Sequence, residues 1–154
     1  MPKMSHVLLF EQKEQHCISV RTRVSTENLP KVIGENYDKL FGYLEEEGVL
    51  PTEAPFVAYY NMDYQNLDVE IGVPVGKKLS GLGEIVSSTI PSGKAIFCMY
   101  RGPYSEIGEV YEDMAKWIES HGEKAVGTAY EYYYNDFDFP ESELLTKVVM
   151  PLKS

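Results

Sequence analysis

The densest group of residues that could do chemistry lies near the C-terminus, in the run Ala129-Tyr130-Glu131-Tyr132-Tyr133-Tyr134. The run is rich in strand-forming aromatic residues, and side chains alternate between the two faces of a strand. Glu131 therefore shares a face with Tyr133, and the other three tyrosines share the opposite face. We expect the helices of the domain to cover that tyrosine face, which leaves Glu131 on an open, concave face.

A carboxylate in this position could hold a positively charged organic molecule. An unpaired buried carboxylate costs several kcal/mol, whereas an organic cation over tyrosine rings gains about 2 kcal/mol for each desolvated cation–π contact as well as charge pairing. The alternative is that Glu131 is solvated or pairs within the protein, and Lys94, Arg101 and Lys147 are the candidate partners. The predicted ligand is a lipophilic, cationic small molecule.

Aromatic residues elsewhere supply candidate walls for such a cleft. The chain has 12 tyrosines among 154 residues, more than core packing alone requires. Tyr104 follows the tight turn Arg101-Gly102-Pro103, which could aim its ring inward. If the protein is an enzyme, Glu131 is the general base or nucleophile, and Tyr104 or Tyr111 donates a hydrogen bond. The predicted ligand-binding residues are Glu131, Tyr133, Tyr59, Phe97, Tyr104, Tyr111 and Trp117.

Other common kinds of site find no support in the sequence. His6, His16 and His121 are scattered singly, and only His16 has a cysteine beside it, with a side chain that would point the other way on a strand. We therefore predict no metal site. The sequence lacks a glycine-rich phosphate loop, a dinucleotide fingerprint and a G-x-S-x-G elbow, so we expect no cofactor and no standard hydrolase or nucleotide enzyme.

Charge and composition narrow the class of protein further. The formal net charge is -10, which argues against direct binding of nucleic acid. Cys17 and Cys98 each lie in an apolar, strand-like run, as expected for reduced, packed thiols in the cytoplasm. The apolar run Val7-Leu8-Leu9-Phe10 is far shorter than a signal sequence or a membrane span, so we expect a soluble protein that does not enter the membrane.

The elements that hold these residues divide into two halves with similar order. The first half shows a strand, a helix that Gly48 ends, and two further strands; the second shows a strand pair, a helix that Gly122 ends, and two strands. The predicted strands are His16–Val24, Phe56–Tyr60, Leu67–Val75, Glu84–Ile90, Lys94–Tyr100, Tyr130–Tyr134 and Leu145–Leu152.

The two halves also match residue by residue. Tyr37 and Tyr111 lie 74 positions apart, as do Gly48 and Gly122, and Pro74 matches Pro151 after three further residues. This pattern predicts duplication of one β-α-β-β unit. We expect a single α+β domain over 1–154, with repeat halves of about 4–76 and 82–154. Its antiparallel sheet would have pseudo-twofold symmetry, two helices on one face and a ligand cleft on the other.

Four segments of the chain form a recognisable set, namely Phe56-Val57-Ala58-Tyr59-Tyr60 with the later Val73-Pro74-Val75, Ile90-Pro91-Ser92-Gly93-Lys94, Arg101-Gly102-Pro103-Tyr104, and Tyr130-Glu131-Tyr132-Tyr133. Together they resemble the GyrI-like small-molecule-binding family, which includes the effector-binding domains of AraC-type and multidrug-sensing transcription regulators. The resemblance implies that Glu131 lies at the base of a drug pocket and faces cationic, aromatic ligands.

The family includes proteins of several functions, so the resemblance leaves alternatives open. The family match begins near Met4 with no helix-turn-helix segment before it, so the chain is similar to the stand-alone members. Those members include drug or toxin sequesterers, a gyrase inhibitor, and hydrolases that open strained, cyclopropane-bearing compounds. A binding protein for lipophilic cations is our first hypothesis. Such a hydrolase, and a module that binds a protein partner such as gyrase or forms a homodimer, are the alternatives.

Overall fold

The computed structural model describes residues 3–136 and 138–154, which form two compact units. One unit is Lys13–Ser92, and the other contains the described residues up to Gln12 together with those of Gly93–Ser154. In both units the strands pair in antiparallel fashion and one α-helix packs against them. The predicted α+β class is therefore confirmed.

The unit of residues 13–92 contains four strands and one helix. In chain order these are β3 (Gln15–Val24), α1 (Leu29–Glu47), β4 (Phe56–Tyr59), β5 (Leu67–Pro74) and β6 (Val86–Ile90), with β1 and β2 belonging to the other unit. The strands lie in the order β4-β5-β3-β6. The register places Glu70 of β5 beside Arg21 of β3 on one side and beside Ala58 of β4 on the other. Helix α1 packs on β3 and β5.

The other unit contains five strands and one α-helix. They are β1 (Lys3–Met4), β2 (Leu8–Gln12), β7 (Gly93–Arg101), α2 (Gly108–Ser120), β8 (Ala129–Tyr133) and β9 (Leu145–Pro151). Strands β1 and β2 both pair with β7, which pairs with β9, which pairs with β8. A short 3₁₀ turn, Tyr104–Glu106, precedes α2.

Each unit contains the predicted β-α-β-β order, as β3-α1-β4-β5 and as β7-α2-β8-β9. The glycines that follow the two helices have almost the same left-handed backbone, with φ of 67° at Gly48 and 66° at Gly122. This conformation is costly for residues with a Cβ, so glycine is favoured where a helix ends in this way. The helix ends thus occupy corresponding positions, as the offset of 74 residues in the sequence indicates.

The units differ from the predicted repeat halves at their boundaries. Strand β6, which the sequence groups with the second half, pairs with β3 of the first. Strands β1 and β2 were not predicted, and they pair with β7 of the second unit. The pattern of the repeat does not reveal these pairings, because they involve strands outside the duplicated motif. Among the described residues, no helix has the length and apolar character needed to cross a membrane.

The core of the second unit lies between α2 and one face of the sheet. Val110 and Met114 of α2 pack with Cys98 of β7 and Val148 of β9, and all four side chains are buried. Val148 is also the cross-strand partner of Glu131. Side chains directly opposite one another in antiparallel strands lie on the same face. The sheet face that contacts α2 is therefore the face that carries Glu131.

Candidate functional site

Glu131 lies in the middle of β8, and a residue of α2 contacts it directly. The hydroxyl of Tyr111, on α2, donates a hydrogen bond to Oε2 of Glu131. The expectation that the helices would cover the face opposite Glu131 is wrong for this unit. The alternation itself is confirmed, because Tyr133 shares the face of Glu131 and contacts it. Three tyrosines on one face of β8 suggested that α2 packs against that face. The apolar residues of β7 and β9 that pack against α2 instead lie on the same face as Glu131.

The carboxylate of Glu131 is enclosed and held by two phenols. Glu131 is only 8% exposed. The hydroxyl of Tyr133 donates to Oε1 at 2.8 Å, so each carboxylate oxygen accepts one tyrosine hydrogen bond. Burial raises the pKa of Glu131 above its ordinary value, and the hydrogen bonds from Tyr111 and Tyr133 oppose that rise without cancelling it. The negative charge of the carboxylate is therefore poorly compensated.

The three basic residues that could have neutralised Glu131 lie elsewhere. Lys94 forms a salt bridge with Glu123 at 2.8 Å, and Arg101 lies 3.8 Å from Glu143. The ammonium of Lys147 lies 5.6 Å from the ring centroid of Phe97, on the opposite face of the sheet from Glu131. Within residues 3–136 and 138–154, no basic side chain forms an ion pair with Glu131.

Tyr104 adds a third phenol beside the carboxylate. Its ring packs edge-on against Tyr133, with centroids 5.5 Å apart and an interplanar angle of 74°. The turn that presents it is fixed by Tyr100, whose hydroxyl donates to the carbonyl oxygen of Pro103 at 2.6 Å. Burial raises the pKa of Tyr104, the nearby Thr146 hydroxyl opposes this, and the negative charge of Glu131 adds to the rise. Tyr104 therefore stays protonated and can donate a hydrogen bond.

The structure brings together four of the seven predicted ligand-binding residues, namely Glu131, Tyr133, Tyr104 and Tyr111. Phe97 lies on the opposite face of the sheet, where it contacts Phe10 at a centroid distance of 5.2 Å. The ring of Trp117 stacks on His121, 3.9 Å between centroids. Tyr59 belongs to β4 in the other unit. Tyr59 and Trp117 stay predictions, and Phe97 does not share a face with Glu131.

Sequence reasoning missed a second buried carboxylate, Glu70 of β5, which is also 8% exposed. Ser19 donates to its Oε2 at 2.6 Å, and Tyr60 donates to its Oε1 at 2.5 Å. The guanidinium of Arg21 lies 3.8 Å from the centroid of the Tyr60 ring. A signal for it was present, because Glu70 interrupts the otherwise apolar stretch Val69–Val75 much as Glu131 interrupts a run of aromatics.

Metal ligands and reactive thiols do not converge in the described part of the chain. It contains no cluster of three or more His, Cys, Asp or Glu side chains that could hold a metal ion. Both cysteines are buried and unbridged. Burial, together with the charge of Glu70, raises the pKa of Cys17 to about 12 despite an opposing hydrogen bond with Ser88. Cys17 is therefore a packed thiol and not an activated nucleophile.

Comparison with protein families gives a match over nearly the whole chain. The profile of the GyrI-like small molecule binding domain matches residues 9–153. No curated protein sequence shows significant similarity to the chain.

Several solved structures share the fold. The C-terminal domain of EcmrR superposes with a TM-score of 0.77 at 23% identity, over 97% of this chain and 98% of that domain. The EcmrR chain in a structure of its complex with DNA is longer, and the present chain matches only 57% of it. A hydrolase from Listeria innocua superposes with a TM-score of 0.68 at 12% identity, over 96% of this chain and 92% of that one. These identities are low, so the likeness concerns the fold.

A further structure with the same fold contains a ligand. SAV2435 bound to tetraphenylphosphonium superposes with a TM-score of 0.64 at 12% identity, over 97% of this chain and 95% of that one. Tetraphenylphosphonium is a lipophilic cation, so this fold accommodates such a ligand in at least one protein.

Proposed function

Because the chain belongs to the GyrI-like small-molecule-binding domain family, we propose that it binds a lipophilic organic cation beside the carboxylate of Glu131. In this proposal Tyr133, Tyr104 and Tyr111 form the aromatic wall of the site. The small molecule is held and not altered, and the protein acts as a sequestering or presenting module for such compounds.

The observation that carries the proposal is a buried carboxylate without a cationic partner. Glu131 is 8% exposed, and the described residues place no basic side chain in an ion pair with it. Burying an ionised carboxylate is costly unless a positive charge compensates it. The raised pKa of Glu131 reflects this cost. A bound cation would supply the missing charge, so the site favours positive over neutral or negative ligands.

The hydrogen bonds of Glu131 narrow the kind of cation further. Each carboxylate oxygen already accepts a hydrogen bond from a tyrosine, Oε2 from Tyr111 and Oε1 from Tyr133. The carboxylate therefore offers mainly charge, and the rings beside it offer π-faces for cation–π contact. A bulky cation with delocalised or shielded charge suits this arrangement. The tetraphenylphosphonium that SAV2435 binds is a cation of this kind.

A matched pair of probes tests the role of charge. Tetraphenylphosphonium and tetraphenylborate have nearly the same size and shape and opposite charges, so calorimetric titration with both separates charge from apolar contact. We expect tetraphenylphosphonium to bind at least about tenfold more tightly than tetraphenylborate, since close charge pairs in partly desolvated sites contribute more than 1 kcal/mol. Equal affinity for the two ions, or binding of neither, would contradict the proposal.

Hydrolysis of a strained electrophile, such as a cyclopropane-bearing compound, is the second candidate function. It is favoured by the raised pKa of Glu131, which makes its carboxylate a stronger base than that of an exposed glutamate, and by the protonated Tyr104 near it. The Listeria innocua protein of the same fold is described as a hydrolase. In this function Glu131 would be the base or nucleophile, and Tyr104 would donate a hydrogen bond to the developing charge.

Mass spectrometry of incubated compounds distinguishes the two functions. A panel of cyclopropane-bearing electrophiles would be incubated with the wild-type protein and with Glu131→Gln. Products that gain the mass of one water, formed by the wild type and not by the variant, would establish hydrolysis. Complete recovery of every compound would leave binding as the function.

The remaining features of the proposal concern location and partners. Two buried, unbridged cysteines support a cytoplasmic location, where thiols stay reduced. The formal net charge of -10 supports the absence of direct contacts with nucleic acid. Subcellular fractionation tests the first of these, and a filter-binding assay with duplex DNA at low salt tests the second.

A further inference from the structure

Thr146 is a buried threonine of β9 that lies beside the Glu131 site. In the register of the sheet, Thr146 is the partner of Tyr133 on β8 and of Tyr100 on β7. Cross-strand partners in antiparallel strands share a face, so Thr146 lies on the face that carries Glu131 and contacts α2. The side chain is fully enclosed, with 0% exposure. Thr146 is not among the residues that the sequence predicts to bind a ligand.

The hydroxyl of Thr146 lacks a hydrogen-bond partner in the described part of the chain. Its Oγ1 is buried, and no donor or acceptor among residues 3–136 and 138–154 meets it with hydrogen-bond geometry. A buried hydroxyl without a partner costs free energy, whereas valine would fill nearly the same space without that cost. Val148 and Val149 occupy buried positions on the same strand. A buried polar group of this kind calls for an explanation, and a role in the neighbouring site supplies one.

The phenol of Tyr104 lies close to this hydroxyl. The turn before Tyr104 is attached to the start of β9, because the backbone N–H of Gly102 donates to the carbonyl of Leu144 at 2.9 Å. The ring of Tyr104 packs against Tyr133, the cross-strand partner of Thr146, at a centroid distance of 5.5 Å. Burial raises the pKa of Tyr104, and Thr146 opposes that rise, as a hydroxyl that donates toward the phenol oxygen would.

We propose that Thr146 is a positioning residue of the Glu131 site, whose hydroxyl donates a hydrogen bond to the phenol oxygen of Tyr104. A small rotation of the side chains completes the hydrogen bond that the structure leaves open. This inference rests on the proposed function, because Tyr104 forms part of the wall that receives the cation. The hydrogen bond keeps the ring of Tyr104 against Tyr133. A ring already held in place loses less conformational entropy when a ligand binds, so the hydroxyl increases affinity without touching the ligand.

A double-mutant cycle on the affinity for tetraphenylphosphonium tests whether Thr146 acts through Tyr104. Thr146→Val keeps the shape of the side chain and removes its hydroxyl, so we expect the dissociation constant to rise about two- to tenfold, the effect of one hydrogen bond. Thr146→Ser should restore most of the affinity. In a Tyr104→Phe background, Thr146→Val should have no further effect. A loss of the same size in that background would overturn the proposal, since the hydroxyl would then act without the phenol.

Thr22→Val is the matched control, because it makes the same chemical change on β3 of the other unit. We expect it to leave the dissociation constant unchanged. Denaturant unfolding of both variants shows that they are folded. The midpoint of Thr146→Val should be close to that of the wild type, because the hydroxyl that it removes has no partner among the described residues. Equal losses of affinity in the two valine variants would contradict a specific role for Thr146.

A measurement without ligand separates this inference from the proposed function. Carbon-13 NMR of protein labelled at the tyrosine Cζ follows the titration of Tyr104, whose signal is the one missing from Tyr104→Phe. We expect the pKa of Tyr104 to be higher in Thr146→Val and nearly unchanged in Thr146→Ser, since serine keeps the hydroxyl. If the wild type binds no tetraphenylphosphonium, the proposed function fails and this titration alone decides the role of Thr146. An unchanged pKa of Tyr104 in Thr146→Val would overturn the inference whatever the affinities are.

Discussion

The two units each bury one glutamate beside tyrosine hydroxyls, but they compensate its charge differently. Glu70 lies on β5 and is held by Ser19 and Tyr60. Glu131 lies on β8 and is held by Tyr111 and Tyr133. Both glutamates are 8% exposed and each of their oxygens accepts one hydroxyl hydrogen bond. The two carboxylates are therefore alike in exposure and hydrogen bonding, and what distinguishes them is the charge nearby.

In the region of Glu70 the protein supplies its own cation. The guanidinium of Arg21 lies 3.8 Å from the centroid of the Tyr60 ring, and Tyr60 is hydrogen-bonded to Glu70. The pKa of Arg21 is raised chiefly by its hydrogen bond with Asp68, and the charges of Tyr60 and Glu70 add to the rise. A carboxylate, a phenol and a cation over the phenol ring thus lie together within one unit. This is the arrangement proposed for the Glu131 site, with a ligand in the place of Arg21.

The comparison indicates which glutamate is available to a ligand. At Glu70 the guanidinium of Arg21, which forms its ion pair with Asp68, lies over the ring of the tyrosine that donates to the carboxylate, so we expect a second cation to gain less there. At Glu131 none of the described ion pairs or cation–π contacts involves the carboxylate or the two tyrosines that donate to it, and burial raises the pKa of the carboxyl.

The largest expected effect is on the affinity for a lipophilic cation. Glu131→Gln keeps the shape of the side chain and removes its charge, so we expect affinity for tetraphenylphosphonium to fall about 10- to 100-fold. Glu70→Gln makes the same chemical change in the other region and should alter the affinity less than about twofold, because the proposed ligand lies beside Glu131 and its three tyrosines. Calorimetric titration of both variants measures the difference. A comparable loss in both variants would contradict the distinction between the two glutamates.

Much of the fold follows from the sequence, because alternation, helical spacing and the glycine stops are local signals. Gly48 and Gly122 predict the ends of both helices, and the order β-α-β-β is evident twice. Strands β1 and β2 were missed because Lys3–Met4 is too short to show a pattern and Leu8–Gln12 does not alternate clearly. Their place on β7 depends on pairing with residues about 90 positions away.

The candidate site was predicted in part for a similar reason. Local alternation correctly grouped Glu131 with Tyr133, and the aromatic excess singled out Tyr104 and Tyr111. Local alternation does not show which face of a strand a distant helix covers, and that face was assigned wrongly. It also did not separate Phe97 from the group, because the face of a residue on β7 depends on its register with β9.

The next effect in size concerns the pH dependence of stability. The pKa of Glu131 is raised in the folded protein above its ordinary value of 4.5. Between 4.5 and the raised pKa the folded state holds a proton that the unfolded state has lost, so the unfolded state binds fewer protons. The contribution of Glu131 to the free energy of unfolding therefore falls as pH rises through this window, with a limiting slope of about 1.4 kcal/mol per pH unit.

Denaturant unfolding of the wild type and of Glu131→Gln at a series of pH values measures this contribution. All other titrating groups are common to both proteins, so the difference between their free energies of unfolding isolates Glu131. We expect the wild type to lose stability relative to the variant as pH rises above 4.5, and then to reach a plateau. A difference that increases with pH would mean that the two tyrosine hydrogen bonds outweigh burial, and the carboxylate would need no ligand cation.

The smallest expected effect tests whether Arg21 serves the Glu70 region as an internal cation. Arg21 and Arg23 lie on the same strand, both contact Asp68, and their side chains are 53% and 57% exposed. The guanidinium of Arg21 also stacks over the ring of Tyr60. Exposed ion pairs contribute little, so Arg21→Gln should lower the free energy of unfolding by at most about 1 kcal/mol.

Arg23→Gln should lower the free energy of unfolding less, because it removes a longer contact with Asp68, 3.7 Å against 2.7 Å for Arg21, and leaves Tyr60 and Glu70 untouched. The effect of Arg21→Gln should also shrink in a Glu70→Gln background, since the charge that Arg21 balances is then absent. Thermal or denaturant unfolding of the single and double variants measures this coupling. An unchanged effect in that background would mean that Arg21 does not compensate Glu70, and the two glutamates would then differ in some property other than the presence of a cation.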